Sequence, residues 1–505
     1  MRVGYTYSLS GDYHSAEIEI ILENGKELAK GDLVYLKHPK NNEPVLFQVT
    51  KIYSHKDTRD YEESLLKEGN VIIDEERTTV RARAYQWGWL DGNALRPLRY
   101  PIKPNVPVYK AEPDIIEKFT KPASKWRIHL GKDLSNGMSV ELDLYYLIRQ
   151  CCLICGAVGT GKTTTAISLV ARAAQAQPPV RFLIVDKDGE YGSLKSIFRD
   201  KMVSVPWYEF FQPEAVQPED LLSEFGWQRN WWNSKILLKA MEILRKMKDR
   251  FIKENLISAI KAVDPEDVGF RRQMSDFEGY KKQVMEAVEN SRSIPRREFE
   301  GVDPIELLYK YRIVLMDLSR GVNGWTKKHI VLTQVLNKIF AHALENPDFG
   351  CVIVLEEAMY YAPQWTQFSI GDRDIRGKLL SIVKEIATNG GRNGVGLWVV
   401  TQRLATVDKT IITQCANNII SHSLEDIDKK RLQEVVGNQF VELLGTLPQG
   451  EAIVKGTALK CRFPILVRVE PEIKPTSAAT PPMARFEIMS LREKMMEEKV
   501  LVEKM

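Results

Sequence analysis

The feature that most restricts what this chain can fold into is the run CCLICGAVGTGKT at residues 151–163. Within it, Gly156-Ala-Val-Gly-Thr-Gly-Lys162-Thr163 matches the phosphate-loop pattern G-x4-G-K-[ST]. Such a loop needs a buried strand to deliver it and a helix to leave it. Its glycines let the backbone wind tightly and aim N–H groups at phosphate oxygens, and the helix adds the positive end of its dipole. Both neighbours are present: CCLIC is apolar, and residues 162–176 carry a helical pattern. Lys162 is placed to reach the β- and γ-phosphates, and Thr163 to offer a hydroxyl to Mg²⁺. Gly156, Val158, Gly159, Thr160, Gly161 and Thr164 complete the predicted cradle for ATP.

Further short apolar runs lie at 181–186 (RFLIVD), 312–318 (RIVLMDL), 351–357 (CVIVLEE), 395–402 (VGLWVVTQ) and 419–424 (IISHSL). Continuous apolar strands alternating with helices indicate a parallel sheet covered on both faces. The expected fold is α/β: a P-loop core built on a parallel sheet, with a small N-terminal β-barrel and a helical insertion. Residues 1–110 read as the barrel, because AEIEIILE, DLVYLKH, PVLFQVTKIY and TTVRARAYQWGWL alternate or cluster apolar residues between turn signals. Residues 111–213 hold a linker and the first part of the core. Pro97, Pro101, Pro104 and Pro107 mark the start of a linker at the end of the barrel range, and residues 127–143 suggest a hairpin around Asn136-Gly137. Residues 214–300 repeat apolar positions at spacings of three and four, the mark of helices. Residues 301–470 complete the core. Residues 471–505 form a tether, KPTSAATPP, and an amphipathic helix.

Composition excludes several classes. The 505 residues carry 71 Lys and Arg against 67 Asp and Glu, a net charge of +4. That balance excludes a polycationic nucleic-acid coat, so any nucleic-acid contact must come from local patches. Arg77, Arg81, Arg83, Arg96 and Arg99 form one candidate patch, whose plainer reading is a solvated barrel face. No apolar run reaches the roughly 18 residues that cross a bilayer, and the first residues lack the pattern of a signal peptide. Six cysteines suit a reducing, cytoplasmic setting. Cys152-Leu-Ile-Cys155 has no second pair and no nearby histidine pair, so it reads as core rather than as a metal site. Trp231-Trp232 reads as packing.

Two strand ends carry acids. CVIVLEE would bring Glu356 and Glu357 to the C-terminal sheet edge, where Glu356 would hold Mg²⁺ through water and Glu357 would polarise the attacking water. Asp186 and Glu190, in DKDGEY, could contact metal or water in the same site, or could merely cap and solvate a strand end. Gln402 ends another strand and is a candidate γ-phosphate sensor. Arg392, in the glycine-rich NGGRNG, could reach a phosphate across a subunit boundary.

In order, AVGTGKTT, VDKDGEY, LEEAMYYAP and NGGRNGVGLWVVTQR resemble the motifs of the HerA-type ATPases of the HerA–FtsK group. The N-terminal GDLVYLKH and PVLFQVTKI are similar to that family's barrel, and LPQGEAIVKG to the motif that closes its core. The resemblance implies roles for Lys162, Thr163, Asp186, Glu190, Glu356, Glu357, Arg392 and Gln402 in nucleotide binding and hydrolysis. It also implies that Arg149 acts across the subunit interface. It further implies a homo-hexameric ring that moves double-stranded DNA and works with a NurA-type nuclease on broken ends. Three positions depart from the family pattern: Met359 stands for a histidine, Asn393 for a lysine and Leu404 for a proline. Other readings of the same loop are a DNA pump of a conjugation-like or packaging machine, a nucleotide-dependent ring scaffold with little turnover, and a small-molecule kinase. Glu357 argues against the kinase, which gains nothing from activating water.

Overall fold

The computed structural model describes residues 1–7, 16–56, 78–212, 216, 218–247, 251–291, 294, 301–320, 324–364, 371–436, 441–461 and 463–476. The chain forms two compact units: Met1–Pro179 with Lys384–Glu472, and Val180–Val383 with the chain from Ile473.

The first unit opens with the barrel. Its strands are β1 (Arg2–Tyr7), β2 (Glu17–Leu22), β3 (Leu33–Lys37), β4 (Pro44–Lys56), β5 (Thr78–Asp91), β6 (Ala94–Arg96) and β7 (Pro107–Lys110). The order β2-β1-β7-β3-β4-β5 is closed by pairing of β5 with β2, and β6 pairs with β5. The alternation read from the sequence sends Ile18, Ile20, Val34, Leu36, Phe47, Ala82 and Ala84 inward, where all are buried. β7 corrects the reading of the proline-rich stretch as linker throughout. Its Val108 is fully buried, and the strand lies between β1 and β3. Pro107 is tolerated because it begins the strand. The short β1 also escaped the sequence reading.

The arginine patch does not assemble as predicted. Arg81 is buried with its guanidinium over the Tyr7 ring. Arg83 pairs with Glu17 at 3.0 Å and Glu19 at 2.9 Å. Arg96 and Arg99 remain exposed, and Arg77 lies outside the described residues. Trp87 of the barrel stacks on Phe463, ring centroids 5.8 Å apart.

The rest of the first unit contains β8 (Arg127–Asp133), β9 (Ser139–Asp143), β10 (Cys152–Cys155), β15 (Val395–Thr401), β16 (Asn418–Ser421), β17 (Glu451–Gly456) and β18 (Ile465–Val469). β10 lies between β15 and β16, parallel to both. β17, β18, β8 and β9 continue antiparallel from β16. All four β10 residues are buried, as a strand covered on both faces requires. The cysteines are free and buried, and burial holds the Cys155 thiol at about 12. They belong to the core. The strand character of β17 and β18 was not foreseen, because their apolar residues are diluted by Glu451, Lys455 and Arg468.

In the second unit β11 (Phe182–Asp186), β12 (Met202–Pro206), β13 (Ile313–Asp317) and β14 (Cys351–Glu356) run parallel in the order β12-β13-β11-β14. The insertion contains helices Pro218–Phe225, Trp232–Met247, Lys253–Lys261 and Met274–Asn290. They bury their own core of Ile236, Leu237, Leu256, Ile260, Phe277 and Val284. Trp232 meets the Phe270 ring at 4.9 Å, as expected for packing, whereas Trp231 is 45% exposed. Among the described residues no helix is long and apolar enough to cross a membrane. The helix expected near the C-terminus lies outside those residues.

Candidate functional site

β10 delivers the phosphate loop as the sequence requires. Its Cys155 pairs with Thr401 of β15, and the Gly156 N–H donates to the Thr401 carbonyl. Gln402 follows at once, so the predicted sensor flanks the start of the loop. On the other side, the Ala157 N–H donates to the Ser423 carbonyl at 2.8 Å. Gly159 and Gly161 have φ of +78° and +112°, which a side chain would strain. The Thr160 hydroxyl donates to the Ala157 carbonyl and closes the turn.

The loop then enters the helix Lys162–Gln175. Its cap, Gly161, has no side chain, so the first turn, which includes Lys162 and Thr163, opens directly from the loop. Lys162 is only 5% exposed. A buried ammonium at a helix start suits a polyanion, since its burial is offset only by anionic or hydrogen-bonding partners. Thr163 and Thr164 are half-buried in the same turn, and Val158 stands out at 81% exposure. The donor set therefore fits the phosphates of a nucleotide.

A residue outside the sequence assignment supports this loop. His422, fully buried just after β16, takes a hydrogen bond between its Nε2 and the Thr165 hydroxyl at 2.8 Å. Its Nδ1 lies 2.9 Å from the Glu451 carbonyl. The carbonyl can only accept, so Nδ1 carries the proton and Nε2 accepts from Thr165. Burial, and secondarily the Lys162 charge, lower the imidazole to about 4, against the Glu451 bond that opposes them. It is therefore neutral near pH 7. The adjacent Gly450 N–H donates to the Thr160 carbonyl at 2.9 Å. The 447–456 segment thus touches the phosphate loop directly.

Both candidate arginines lie in this unit. Arg149 ends the helix Leu144–Arg149. A Cβ on Gly391 would lie 2.2 Å from the Arg149 carbonyl, so only glycine permits this approach. Arg392, next in sequence, is exposed. Asn393 donates its side-chain N–H to the Asn389 carbonyl, and Leu404 is fully buried.

In the second unit the acids cluster at the C-terminal ends of β11 and β14. Glu356 and Glu357 are 1% and 4% exposed. Glu357 has φ +55° and ψ +58°. A left-handed conformation costs a non-glycine residue about 1–2 kcal/mol. Asp186 is fully buried and turned toward its own loop. Oδ1 accepts from the Gly189 and Glu190 N–H groups at 2.9 and 3.2 Å, and Oδ2 from Tyr191 at 3.0 Å. Burial raises its carboxyl to about 6; the three N–H bonds oppose that rise and Glu356 adds to it. Glu190 is half-buried in the same loop. The Tyr191 hydroxyl donates to Glu356 Oε2 at 2.6 Å. Tyr191 stands inside DKDGEY, and its pairing with a strand 165 residues away carried no sequence signal.

Met359, at the histidine position of the family pattern, is half-buried. His329, from the helix Trp325–Glu345, bonds through Nε2 to the Tyr360 carbonyl at 2.9 Å and steadies the turn after Glu357. Burial lowers His329 to about 4.

A glycine-wound anion cradle at the end of a buried parallel strand, in a chain of parallel βα units, defines a P-loop nucleotide-binding protein. Within that class, residues 128–339 match the family model described as the central domain of the helicase HerA. Over 401 residues the chain is 25% identical to the "Probable helicase MJ1565" of Methanocaldococcus jannaschii, covering 75% of this chain and 73% of the relative. Over 529 residues it is 22% identical to the DNA double-strand break repair helicase HerA of Pyrococcus furiosus, covering 92% and 89%. Among solved structures, VirB4 of Thermoanaerobacter pseudethanolicus aligns with a TM-score of 0.49 and 14% identity, over 69% of this chain and 97% of that one.

Proposed function

We propose that this protein is an ATP-driven motor on double-stranded DNA, working as a homo-hexameric ring in the cytoplasm. The phosphate-loop geometry carries the reading: Lys162 is buried at an uncapped helix start behind left-handed glycines. The HerA central-domain match and a HerA relative that spans most of the chain support the DNA substrate. A NurA-type nuclease partner in the processing of broken ends follows from the same likeness.

In this reading Lys162 and the N–H groups of the loop bind the β- and γ-phosphates, and Thr163 and Glu356 hold Mg²⁺, the latter through water. Mg²⁺ supplies charge neutralisation on the phosphate oxygens. Glu357 accepts a proton from the attacking water. Gln402 senses the γ-phosphate from beside Gly156. Arg392 and Arg149 reach a neighbouring protomer's nucleotide and stabilise charge as the phosphate departs. Asp186 and Glu190 shape the loop beside Glu356.

The test is phosphate release by the full chain with and without duplex DNA, together with its mass in solution. A hexamer with duplex-stimulated release is expected. A monomer with no release under either condition would refute the motor reading.

A further inference from the structure

Most of the buried polar groups serve the core or the phosphate loop. Tyr191 and Glu356 pair elsewhere; they are 0% and 1% exposed and come from different elements of the second unit. We infer that Tyr191 is a positioning residue for Glu356: its hydroxyl, donating to Oε2 at 2.6 Å, fixes that carboxylate in the orientation that cation binding needs. The inference rests on the proposed role of Glu356 as the acid on the metal side.

The geometry is built in steps. Asp186 gathers three consecutive N–H groups, including that of Tyr191, and folds the loop after β11 back on itself. The fold turns the phenol inward rather than toward solvent. The phenol buried there gives its O–H to the Glu356 carboxylate, which has no proton to offer in return. It can therefore act only as a donor to Glu356. A short bond from a donor to a buried carboxylate fixes the direction in which its other oxygen points. Asp186 thus acts on Glu356 through Tyr191, a route distinct from the direct metal contact its strand-end position suggests.

Tyr361 provides an internal control. It is equally buried and feels the charges of Asp186, Glu356, Asp188 and Glu357. Its hydroxyl has no hydrogen-bond partner among the described residues. Loss of that hydroxyl should leave Glu356 where it is.

The experiment compares full-length wild type, Tyr191→Phe, Glu356→Gln, the double variant and Tyr361→Phe. First, urea unfolding without nucleotide gives the coupling between Tyr191 and Glu356. A non-zero coupling is expected, and additive effects would overturn the pairing. Second, electron paramagnetic resonance follows Mn²⁺ binding in the presence of a non-hydrolysable ATP analogue. Tyr191→Phe should weaken Mn²⁺ about 5- to 10-fold, a single charge-assisted hydrogen bond, with the analogue's affinity in EDTA unchanged. On the Glu356→Gln background it should add nothing, and Tyr361→Phe should match wild type. Unchanged Mn²⁺ affinity in Tyr191→Phe, or an equal loss in Tyr361→Phe, would overturn the inference. A wild type that binds no analogue would instead sink the proposed function.

Discussion

Around the phosphate loop, recognition is built from main chain; around Glu356 it is built from side chains. The loop in the first unit offers N–H groups, two left-handed glycines and a helix start, all within residues 156–164. The acid cluster in the second unit gathers Asp186, Tyr191, Glu356 and Glu357 from two strand ends, at the cost of a left-handed glutamate and a perturbed aspartate. The first region draws its donors from one stretch of chain, braced by single bonds to Thr401, His422, Ser423 and Gly450. The second holds its shape only while several buried charges and donors remain matched. The two should therefore fail differently when altered.

Removing Lys162 tests the first region most severely. Lys162→Ala should reduce phosphate release on the order of 10³-fold, the scale for losing a charged clamp, and should weaken nucleotide binding as well. A malachite-green assay alongside fluorescent-nucleotide titration measures both. Glu357→Gln should cut release on the order of 10²–10³-fold, the scale of a lost general base, yet keep nucleotide bound. If both variants lose binding equally, the division of labour between the regions is wrong.

Smaller effects come from pH, and the two regions should respond with opposite sign. His422 lies near 4 in the folded chain against an ordinary 6.5. The unfolded chain therefore takes up a proton first, so stability is whole above about pH 6.5 and falls as the pH drops toward 4. Between pH 7 and 5 this costs about 2 kcal/mol. His422→Gln should remove that part of the acid sensitivity in urea unfolding; an unchanged slope would show that the imidazole is not the proton acceptor. Asp186 lies near 6 against an ordinary 3.8. Its folded form holds the proton more tightly, so stability is whole below about pH 4 and is lost as the pH rises through 6. From pH 5 to 7.5 the loss is about 1–2 kcal/mol. Asp186→Asn should flatten that limb, and a melting temperature that still falls across this range would remove Asp186 as the cause.

Much of this was legible in the chain. Short apolar runs announced β10, β11, β13, β14 and β15, because strands covered on both faces admit little else. Alternation announced most of the barrel. β7 was hidden by prolines that only a strand's first position tolerates, and β17 and β18 by the charged residues that interrupt their apolar ones. In the candidate site, the phosphate loop could be read because its residues are neighbours in sequence. His422 and Tyr191 could not. A histidine after a strand and a tyrosine in a loop are common, and what distinguishes these two is the atom each meets. The same reason undid the arginine patch: Arg83 looks cationic in the sequence, but its charge is met by Glu17 and Glu19 across the β2–β5 pair.

The sequence by itself determined the nucleotide-binding class, where most of the sheet's apolar strands lie along the chain, the barrel and the helical insertion. Each depends on local spacing or on burial that the chain encodes residue by residue. Tertiary structure alone decided which buried polar atoms face one another: Thr165 and His422, Gly391 and the Arg149 carbonyl, Tyr191 and Glu356. A hydrogen bond is settled within a few tenths of an ångström, and only the packed fold fixes distances that finely between residues so far apart in the chain.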